Sequence, residues 1–346
     1  RLAAKVPSWA AVKDLRFPQR LPLEQCSGEE AALYKTRLVR RLGGTFGKMA
    51  DLTGGFGVDF AHLAPLFSRA FYVEQSGELC DAVRHNLPLL GVKNAEIIEG
   101  NSTALLPSLP PLDFIFIDPA RRDGAGRKTV ALSDCTPDVS RLAPALLAKA
   151  PTVLIKLSPM LDLREVATGL PHVTEIHVVA HHGECKEVLA LLQRGELVEP
   201  RIFCADGRFV FTSKDEAASA PSYTDTIGPY LYEPEASVLK AGAFRLTALR
   251  YGMKKLHPNS HLYTADQFVT DFPGRTFKVV SSCGTGRRDM QTAMRGITQA
   301  NLTVRNFPAT VAELRRRWKL RDGGDFYLFA TTLASGEHRL IICRKT

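Results

Sequence analysis

The sequence predicts an α/β protein with a mostly parallel sheet, preceded by a helical segment and followed by a smaller α/β domain. From residue 46 to residue 214, short apolar runs alternate with amphipathic helical patterns, which favours a parallel sheet with helices on both faces. Charge changes along the chain: residues 226–346 hold nineteen Lys and Arg against nine Asp and Glu, a net charge of +10 in a chain of net charge +9. Residues 1–225 therefore carry about −1, and 346 residues suffice for two domains.

The elements follow in chain order. Residues 1–45 form a helical lead-in, in which Gly28 to Leu42 has the pattern of a mixed helix. The predicted strands are KMADLT, RAFYVE, AEIIEG, LDFIFIDP, TVLIKLS and TEIHVVA, and the predicted helices are GVDFAHLAPLF, GELCDAVRHNLPLL and DVSRLAPALLAKA. Only HHGE separates TEIHVVA from CKEVLALLQ, so we expect CKEVLALLQ to be an antiparallel last strand.

The end of this first domain is marked by a hairpin and then a polar stretch. RIFCADGRFVFTS predicts a hairpin that turns at Asp206-Gly207. The small, polar residues 215–228 predict a linker between a domain at 46–214 and a basic domain at 229–346. In the latter, FPGRTFKVV, GRRDMQTAMRGI, NLTVRNFP, VAELRRRW and DFYLFATT predict strand, helix, strand, helix and strand.

Composition excludes several classes of protein. We find no apolar run of the roughly 18 residues that a membrane span needs, and no secretory signal at the start. The seven cysteines are scattered without CxxC spacing, which indicates neither a disulfide framework nor a zinc site. We therefore expect a cytoplasmic protein without a bound metal.

A glycine-rich turn follows the first predicted strand. DLTGGFGVD has the spacing acid-x-x-x-Gly-x-Gly at Asp51, Gly55 and Gly57, and it lacks the third glycine of a dinucleotide fingerprint. Glycines allow a tight turn whose backbone touches a ligand. The run resembles the first motif of class I S-adenosylmethionine-dependent methyltransferases, with Thr53 at the small position. The resemblance implies S-adenosylmethionine as the cofactor, with its amino and carboxylate groups near this loop.

Two residues on the next strands extend this prediction. Glu74 ends the second strand, nineteen residues after Gly55, where a carboxylate can accept hydrogen bonds from both ribose hydroxyls. After the third strand, many members of the class have an acid that meets the adenine amino group. This chain has Asn101 there, whose side-chain oxygen could serve instead.

Asp118, at the end of the fourth strand in FIDPARR, is the catalytic candidate. Ligands collect at the carboxyl ends of strands in open sheets, so Asp118 should face the same crevice as the cofactor-binding residues. FIDPARR resembles the [DN]-P-P-[YFW] motif of amino-group methyltransferases, which implies that Asp118 and Pro119 hold a base nitrogen against the sulfonium. Ala120 replaces the second proline and Arg121 the aromatic residue; Arg121 could stack on a base or hold a phosphate.

A different methyl-transfer chemistry is the nearest alternative. Uridine C5-methyltransferases carry a DPPR variant and attack with a cysteine just after strand five. At that place this chain has Ser158-Pro159, which disfavours the nucleophilic route. Cys135, after strand four, remains open as a nucleophile against its default role as a buried free thiol.

Lys156 and the pair His181-His182 are also unusual. A lysine inside the apolar strand VLIKLS must reach the strand end or be paired, either with an acid of the crevice or in a structural ion pair. The two histidines, with Glu184 and Cys185 nearby, suggest a metal site at first sight. Neighbouring strand residues point to opposite faces, so we expect ordinary loop or sheet positions there.

The basic C-terminal domain is expected to bind RNA. Six neighbouring residues can meet phosphates or stack on a base, and Gly323-Gly324 could end their helix; the six are Arg315, Arg316, Arg317, Trp318, Lys319 and Arg321. The alternative is that Trp318 belongs to the core and the arginines form a solvated face.

Taken whole, the chain resembles bacterial methyltransferases with a C-terminal THUMP-like domain. Its further markers are EQCSGEEAALYK, IKLSPMLD, GECKEVL, NSHLYTAD and RDGGDFYLFATT. The resemblance implies methylation of a ring or exocyclic nitrogen in RNA such as tRNA or rRNA. Methylation of DNA, protein or a small molecule remains open, as does non-catalytic RNA binding.

Overall fold

The computed structural model describes residues 2–18, 26–43, 46–121, 131–195 and 197–346. The chain divides into two units, Arg1–Val210 and Phe211–Thr346. The boundary lies a few residues before the linker that we expected at 215–228. The expected linker begins inside a helix, Ser213–Ala218, in which the carboxylate of Glu216 accepts hydrogen bonds from the backbone N–H groups of Arg245 and Leu246.

The first unit contains the elements that the apolar patterns predict, with several short additions. Its strands are β1 (Phe46–Asp51), β2 (Phe67–Glu74), β3 (Ala95–Glu99), β4 (Phe114–Ile117), β5 (Ala120–Arg121), β6 (Cys135–Thr136), β7 (Thr152–Leu157), β8 (Val173–His181), β9 (Glu184–Gln193), β10 (Arg201–Cys204) and β11 (Phe209–Phe211). Its helices are α1 (Leu2–Lys5), α2 (Pro7–Ala10), α3 (Glu29–Leu42), α4 (Val58–Leu63), α5 (Gly77–Leu89), α6 (Ser102–Leu105), α7 (Val139–Lys149) and α8 (Leu163–Gly169).

The central sheet has nine strands in the order β11-β10-β8-β9-β7-β4-β1-β2-β3. β3, β2, β1, β4 and β7 are parallel to one another, and β9 runs antiparallel to both β7 and β8. The antiparallel orientation predicted for CKEVLALLQ is therefore confirmed as β9, which lies between β7 and β8, and β10 and β11 continue the sheet beyond β8. The carboxyl ends of β1, β2, β4, β7 and β8 meet at one edge of the sheet, which is where a ligand site belongs in such folds.

The N-terminal segment packs onto the sheet as part of its core. Trp9 and Leu38 belong to the same buried cluster as Met49 of β1, Phe116 of β4 and Leu154 of β7. Burying large apolar side chains stabilises the fold by about 1.5–3 kcal/mol each, so α3 is held mainly by this contact. The segment that the sequence indicated only as a helical lead-in therefore forms one layer of the first unit.

The second unit is a mixed sheet with helices. It contains α9 (Ser213–Ala218), β12 (Tyr230–Pro234), α10 (Ala236–Ala241), α11 (Phe244–Arg250), β13 (Lys254–Lys255), β14 (Tyr263–Ala265), β15 (Gly274–Gly284), α12 (Arg287–Ala293), β16 (Asn301–Arg305), α13 (Val311–Trp318), β17 (Phe326–Thr332) and β18 (His338–Lys345). The order is β13-β14-β12-β15-β18-β17-β16, with β16 and β17 parallel. The predicted strand, helix, strand, helix, strand series is confirmed as β15, α12, β16, α13 and β17.

Both faces of this second sheet are apolar. Successive strand residues point to opposite faces, so Leu328 of β17 packs in one cluster with Met290 of α12 and Leu314 of α13, whereas Phe329 packs in another with Phe277. Residues 338–345 form β18 between β15 and β17, a strand that the sequence analysis did not predict. In the described part of the chain, no helix combines the length and the apolar character that crossing a membrane requires.

Candidate functional site

A cleft of ≈ 1500 Å³ lies in the first unit and collects the polar residues at the carboxyl edge of the central sheet. All eight residues of the first unit that the sequence predicted for cofactor binding or catalysis and whose side chains are described line it: Asp51, Thr53, Gly55, Gly57, Glu74, Asn101, Asp118 and Pro119. The backbone of Arg121 lies in β5, but its side chain is outside the described residues.

The glycine-rich turn is shaped by neighbours that exclude larger residues. A Cβ atom on Gly54 would lie 2.1 Å from the Tyr72 ring, so only glycine fits there. Gly55 and Gly57 adopt φ values of 55° and 76°, a left-handed conformation that favours glycine. Gly57 then caps the N-terminus of α4. The turn thus leaves its backbone at the wall of the cleft, as a closely bound ligand requires.

Glu74 ends β2 and is held by the backbone on both sides. Its Oε2 accepts a hydrogen bond of 3.0 Å from the Gly55 N–H, and its Oε1 accepts one of 3.0 Å from the Ser76 N–H. A carboxylate can accept about four hydrogen bonds, so each oxygen keeps one acceptor position. A pair of ribose hydroxyls fits these two positions.

Asp51 ends β1 and is only 1% exposed. Burial raises the pKa of its carboxyl group well above the usual range, although a hydrogen bond of 3.0 Å from the Thr53 N–H to Oδ1 opposes this shift. The negative charges of Asp59, Asp118 and Glu74 raise the pKa further. The positive charge of a bound cation would lower this pKa again, so the carboxylates around Asp51 suit the ammonium group of S-adenosylmethionine.

Asn101 lines the cleft and also caps a helix. Its Oδ1 accepts hydrogen bonds from the backbone of Thr103 at 3.0 Å and of Ala104 at 3.2 Å, and from the Thr103 hydroxyl at 2.5 Å. An amide oxygen has two lone pairs, so an adenine amino group would compete with these donors. The adenine contact of Asn101 therefore stays a prediction.

Asp118 lies directly after β4 and is fixed from two directions. Its backbone N–H donates a hydrogen bond of 2.6 Å to the Thr53 hydroxyl, which ties it to the glycine-rich turn. Its Oδ2 accepts a hydrogen bond from the Lys156 ammonium of β7. We considered an acid of the cleft and a structural ion pair as partners of Lys156, and in the structure its partner is Asp118, an acid of the cleft.

A buried charge network lies beside this pair. Lys35 of α3 is fully buried, and its Nζ lies 3.0 Å from Asp59 Oδ1 and 2.6 Å from Glu187 Oε1. Ser27 donates a hydrogen bond of 2.6 Å to Asp59 Oδ2. The sequence analysis missed this network. A signal was present at Lys35, which interrupts the apolar face that Ala31, Ala32, Leu38 and Val39 form on α3. Glu187 gave no such signal, because it adjoins the polar start of β9.

The N-terminal segment also contributes to the cleft, which the sequence analysis did not anticipate. Lys5, Cys26 and Gly28 to Ala31 line it together with the sheet residues.

Cys135, the alternative nucleophile, is buried, and burial raises the pKa of its thiol to about 11. The thiolate is the nucleophile, so this position is unsuited to attack a base.

His181 and His182 share one partner. Nδ1 of His181 lies 3.3 Å and Nε2 of His182 lies 3.6 Å from Glu30 Oε2. His181 ends β8, and His182, with a φ of 54°, lies in the turn that follows, so both occupy the ordinary sheet and loop positions that we expected. Among the described residues, no group of three or more His, Cys, Asp or Glu is placed to hold a metal ion.

In the second unit, the six predicted RNA-binding residues fall into two groups. Arg316, Arg317, Lys319 and Arg321 are exposed. Arg315 pairs with Asp322, and Trp318 packs against the apolar cluster below α13. The helix ends at Trp318, five residues before Gly323, because Lys319 takes the left-handed C-cap conformation.

Two family models match the second unit, and known proteins match nearly the whole chain. A model described as a ferredoxin-like domain matches residues 230–273, and one described as THUMP domain-like matches residues 274–345. Uncharacterized S-adenosylmethionine-dependent methyltransferases of two Mycobacterium tuberculosis strains are 24% identical over 320 residues, which cover 91% of this chain and 84% of theirs. A protein from Porphyromonas gingivalis W83, described as a methyltransferase, is 40% identical with a TM-score of 0.91, covering 100% of this chain and 88% of that one.

Proposed function

Because this chain belongs to the class I S-adenosylmethionine-dependent methyltransferases with a C-terminal THUMP-like domain, we propose that it methylates a ring or exocyclic nitrogen of a base in RNA such as tRNA or rRNA. Residues 229–346 bind the RNA in this proposal. The seven free cysteines are consistent with action in the reducing cytoplasm.

The observation that carries the proposal is that one cleft combines the cofactor residues with Asp118-Pro119. Asp51 and Glu74 end β1 and β2, and Asp118 follows β4, so the three carboxylates belong to adjacent strands of the order β4-β1-β2. The Thr53 hydroxyl links the glycine-rich turn to Asp118, because it accepts a hydrogen bond of 2.6 Å from the Asp118 N–H. In this proposal, a ligand bound by Asp51 and Glu74 lies beside Asp118.

Each group has a defined task in this proposal. S-adenosylmethionine supplies a methyl group on a positively charged sulfur. Asp51 binds its ammonium group, Glu74 binds its ribose, and the glycine-rich turn contacts it through the backbone. Asp118 and the Pro119 carbonyl accept hydrogen bonds from the attacking nitrogen, which keeps its lone pair free and aligned. Alignment of this kind is a main source of rate in a displacement reaction.

The charge of the site favours a neutral nitrogen over a protonated amine. The Asp118 carboxylate is neutralised by Lys156, so the position assigned to the attacking group has little net charge. A lysine side chain of a protein is a cation at neutral pH and would meet the Lys156 ammonium there. The nitrogens of nucleobases are neutral, which makes them the better match.

RNA is favoured over other polymers by the second unit. Residues 226–346 carry a net charge of +10, and residues 274–345 match the THUMP domain-like model. Arg316, Arg317, Lys319 and Arg321 are exposed and can contact phosphates. Trp318 is half-buried and packs against the apolar cluster below α13, so its stacking on a base stays a prediction.

Transfer of labelled methyl from S-adenosylmethionine tests the proposal. The substrates are total RNA from cells lacking this protein, with DNA and protein extract from the same cells in parallel. We expect label in one size class of RNA, and digestion of that RNA to nucleosides should give an N-methylated base. Label in DNA or protein, or cofactor binding with no labelled polymer, would contradict the RNA assignment and leave another substrate class.

A further inference from the structure

Lys156 is an unusual residue in the middle of the site, and the tasks described above give it no part beyond neutralising Asp118. It is the fifth residue of the apolar strand β7, its side chain is 14% exposed, and it lines the cleft. A charge at such a position costs free energy unless it is paired. Its Nζ donates a hydrogen bond to Asp118 Oδ2.

The neighbouring acids do not compete equally for Lys156. Asp59 of α4 and Glu187 of β9 also face it, but both are bridged by Lys35 of α3, at 3.0 Å and 2.6 Å. Burial lowers the pKa of Lys156, yet the charges of Asp118, Glu187 and Asp59 outweigh burial and raise it overall. Lys156 therefore stays a cation, with Asp118 as its direct partner.

Asp118 is then held through both its backbone and its side chain. Its backbone N–H is bound to Thr53 Oγ1 at 2.6 Å, and one carboxylate oxygen is bound to Lys156. Rotation of the carboxylate would break the ion pair, so the second oxygen has a fixed direction. Asp118 is one-third exposed, which leaves it accessible from the cleft.

We propose that Lys156 is a positioning residue for methyl transfer: its ammonium holds one oxygen of Asp118 and so presents the other to the attacking nitrogen. The inference rests on the proposed nitrogen methylation. Misplacing a reacting group by about 1 Å can cost roughly 100-fold in rate, so a residue that only orients Asp118 can affect kcat strongly.

Lys156→Met in the full chain is the first test. We expect kcat for RNA methylation to fall roughly 100-fold, with the Kd for S-adenosylmethionine within about threefold of wild type. The loss should fall on kcat rather than on KM, because Lys156 acts on the attacking nitrogen only through Asp118. Lys156→Arg, which keeps a cation beside Asp118, should recover part of the rate.

Lys186→Met is the matched control. Lys186 lines the same cleft but pairs with the exposed Glu184, and we expect a wild-type kcat. A wild-type kcat in Lys156→Met, or an equal loss of kcat in Lys186→Met, would overturn the proposal.

A double-mutant cycle separates positioning from a general structural role. The neutral amide that D118N introduces needs no counter-ion, so K156M should change the rate of D118N by less than about threefold. This comparison also applies if K156M alone fails to fold, because the double variant leaves no uncompensated charge at this pair. A loss of tenfold or more in the D118N background would refute the coupling.

Urea unfolding of wild type, K156M, D118N and the double variant needs no substrate and measures the coupling free energy between the two side chains. If wild-type protein labels no RNA, the proposed function fails. If this coupling free energy is also indistinguishable from zero, the role of Lys156 fails as well, and on its own evidence.

Discussion

Replacing Lys35 with Met tests whether the buried charge network holds the first unit together. Lys35 is fully buried and bridges Asp59 and Glu187, whose side chains are 10% and 3% exposed. The substitution leaves two carboxylates inside the protein with Lys156 as the remaining nearby cation. Breaking a buried ion pair from one side costs about 3–5 kcal/mol. The equilibrium constant for unfolding should therefore rise by roughly two to four powers of ten.

Unfolding of the first unit can be followed through a single tryptophan. The chain has two tryptophans, and Trp9 lies in the core of the first unit at 4% exposure. In a Trp318→Phe background, Trp9 fluorescence during urea unfolding reports on that unit alone. For about 210 residues, a loss of 3–5 kcal/mol corresponds to a fall in Tm of roughly 6–20 °C.

The controls identify the cause of the loss. Lys13→Met removes an exposed lysine and should leave unfolding nearly unchanged. Adding Asp59→Asn and Glu187→Gln to Lys35→Met should recover much of the stability, because no unpaired carboxylate remains at the site. A loss below about 1 kcal/mol for Lys35→Met would refute the reasoning, since it would mean that water already reaches these carboxylates.

Three further outcomes are expected. Asp118→Ala should leave the Kd for S-adenosylmethionine within about threefold and reduce methyl transfer by at least roughly 100-fold, measured by calorimetry and labelled transfer; equal losses of both would contradict its role. Changing Arg316 and Arg317 together to Glu should weaken RNA binding and reduce the slope of log Kd against log salt by about two, and an unchanged slope would place the RNA elsewhere. The pKa of Asp51 is raised in the free protein and the ligand's cation binds its ionised form, so affinity for S-adenosylmethionine should fall as pH falls. Calorimetry in two buffers should detect the released proton, and Asp51→Asn should abolish this pH dependence.

The sequence was sufficient for the parts of the site that are local. The glycine-rich turn, Glu74 and Asp118 are all set by their position at the end of an apolar strand, and parallel strands bring such positions to one edge. The strands β1 to β4 and β7 to β9 were predictable for the same reason, since a buried strand needs a continuous apolar run. The strand β18 was missed because no helical pattern beside it marked it as part of a repeating unit.

Only the tertiary structure decided the partners of the charged groups. Lys35, Asp59 and Glu187 are far apart in the chain, and their contact depends on how α3 packs on the sheet. The oxygen of Asn101 caps α6, a local contact that the cofactor analogy did not consider. Strand patterns follow from periodicity along the chain, whereas the pairing of buried charges depends on contacts of about 3–4 Å between segments remote in sequence. The chain alone therefore predicted where the site lies, and the fold decided which charged groups are paired around it.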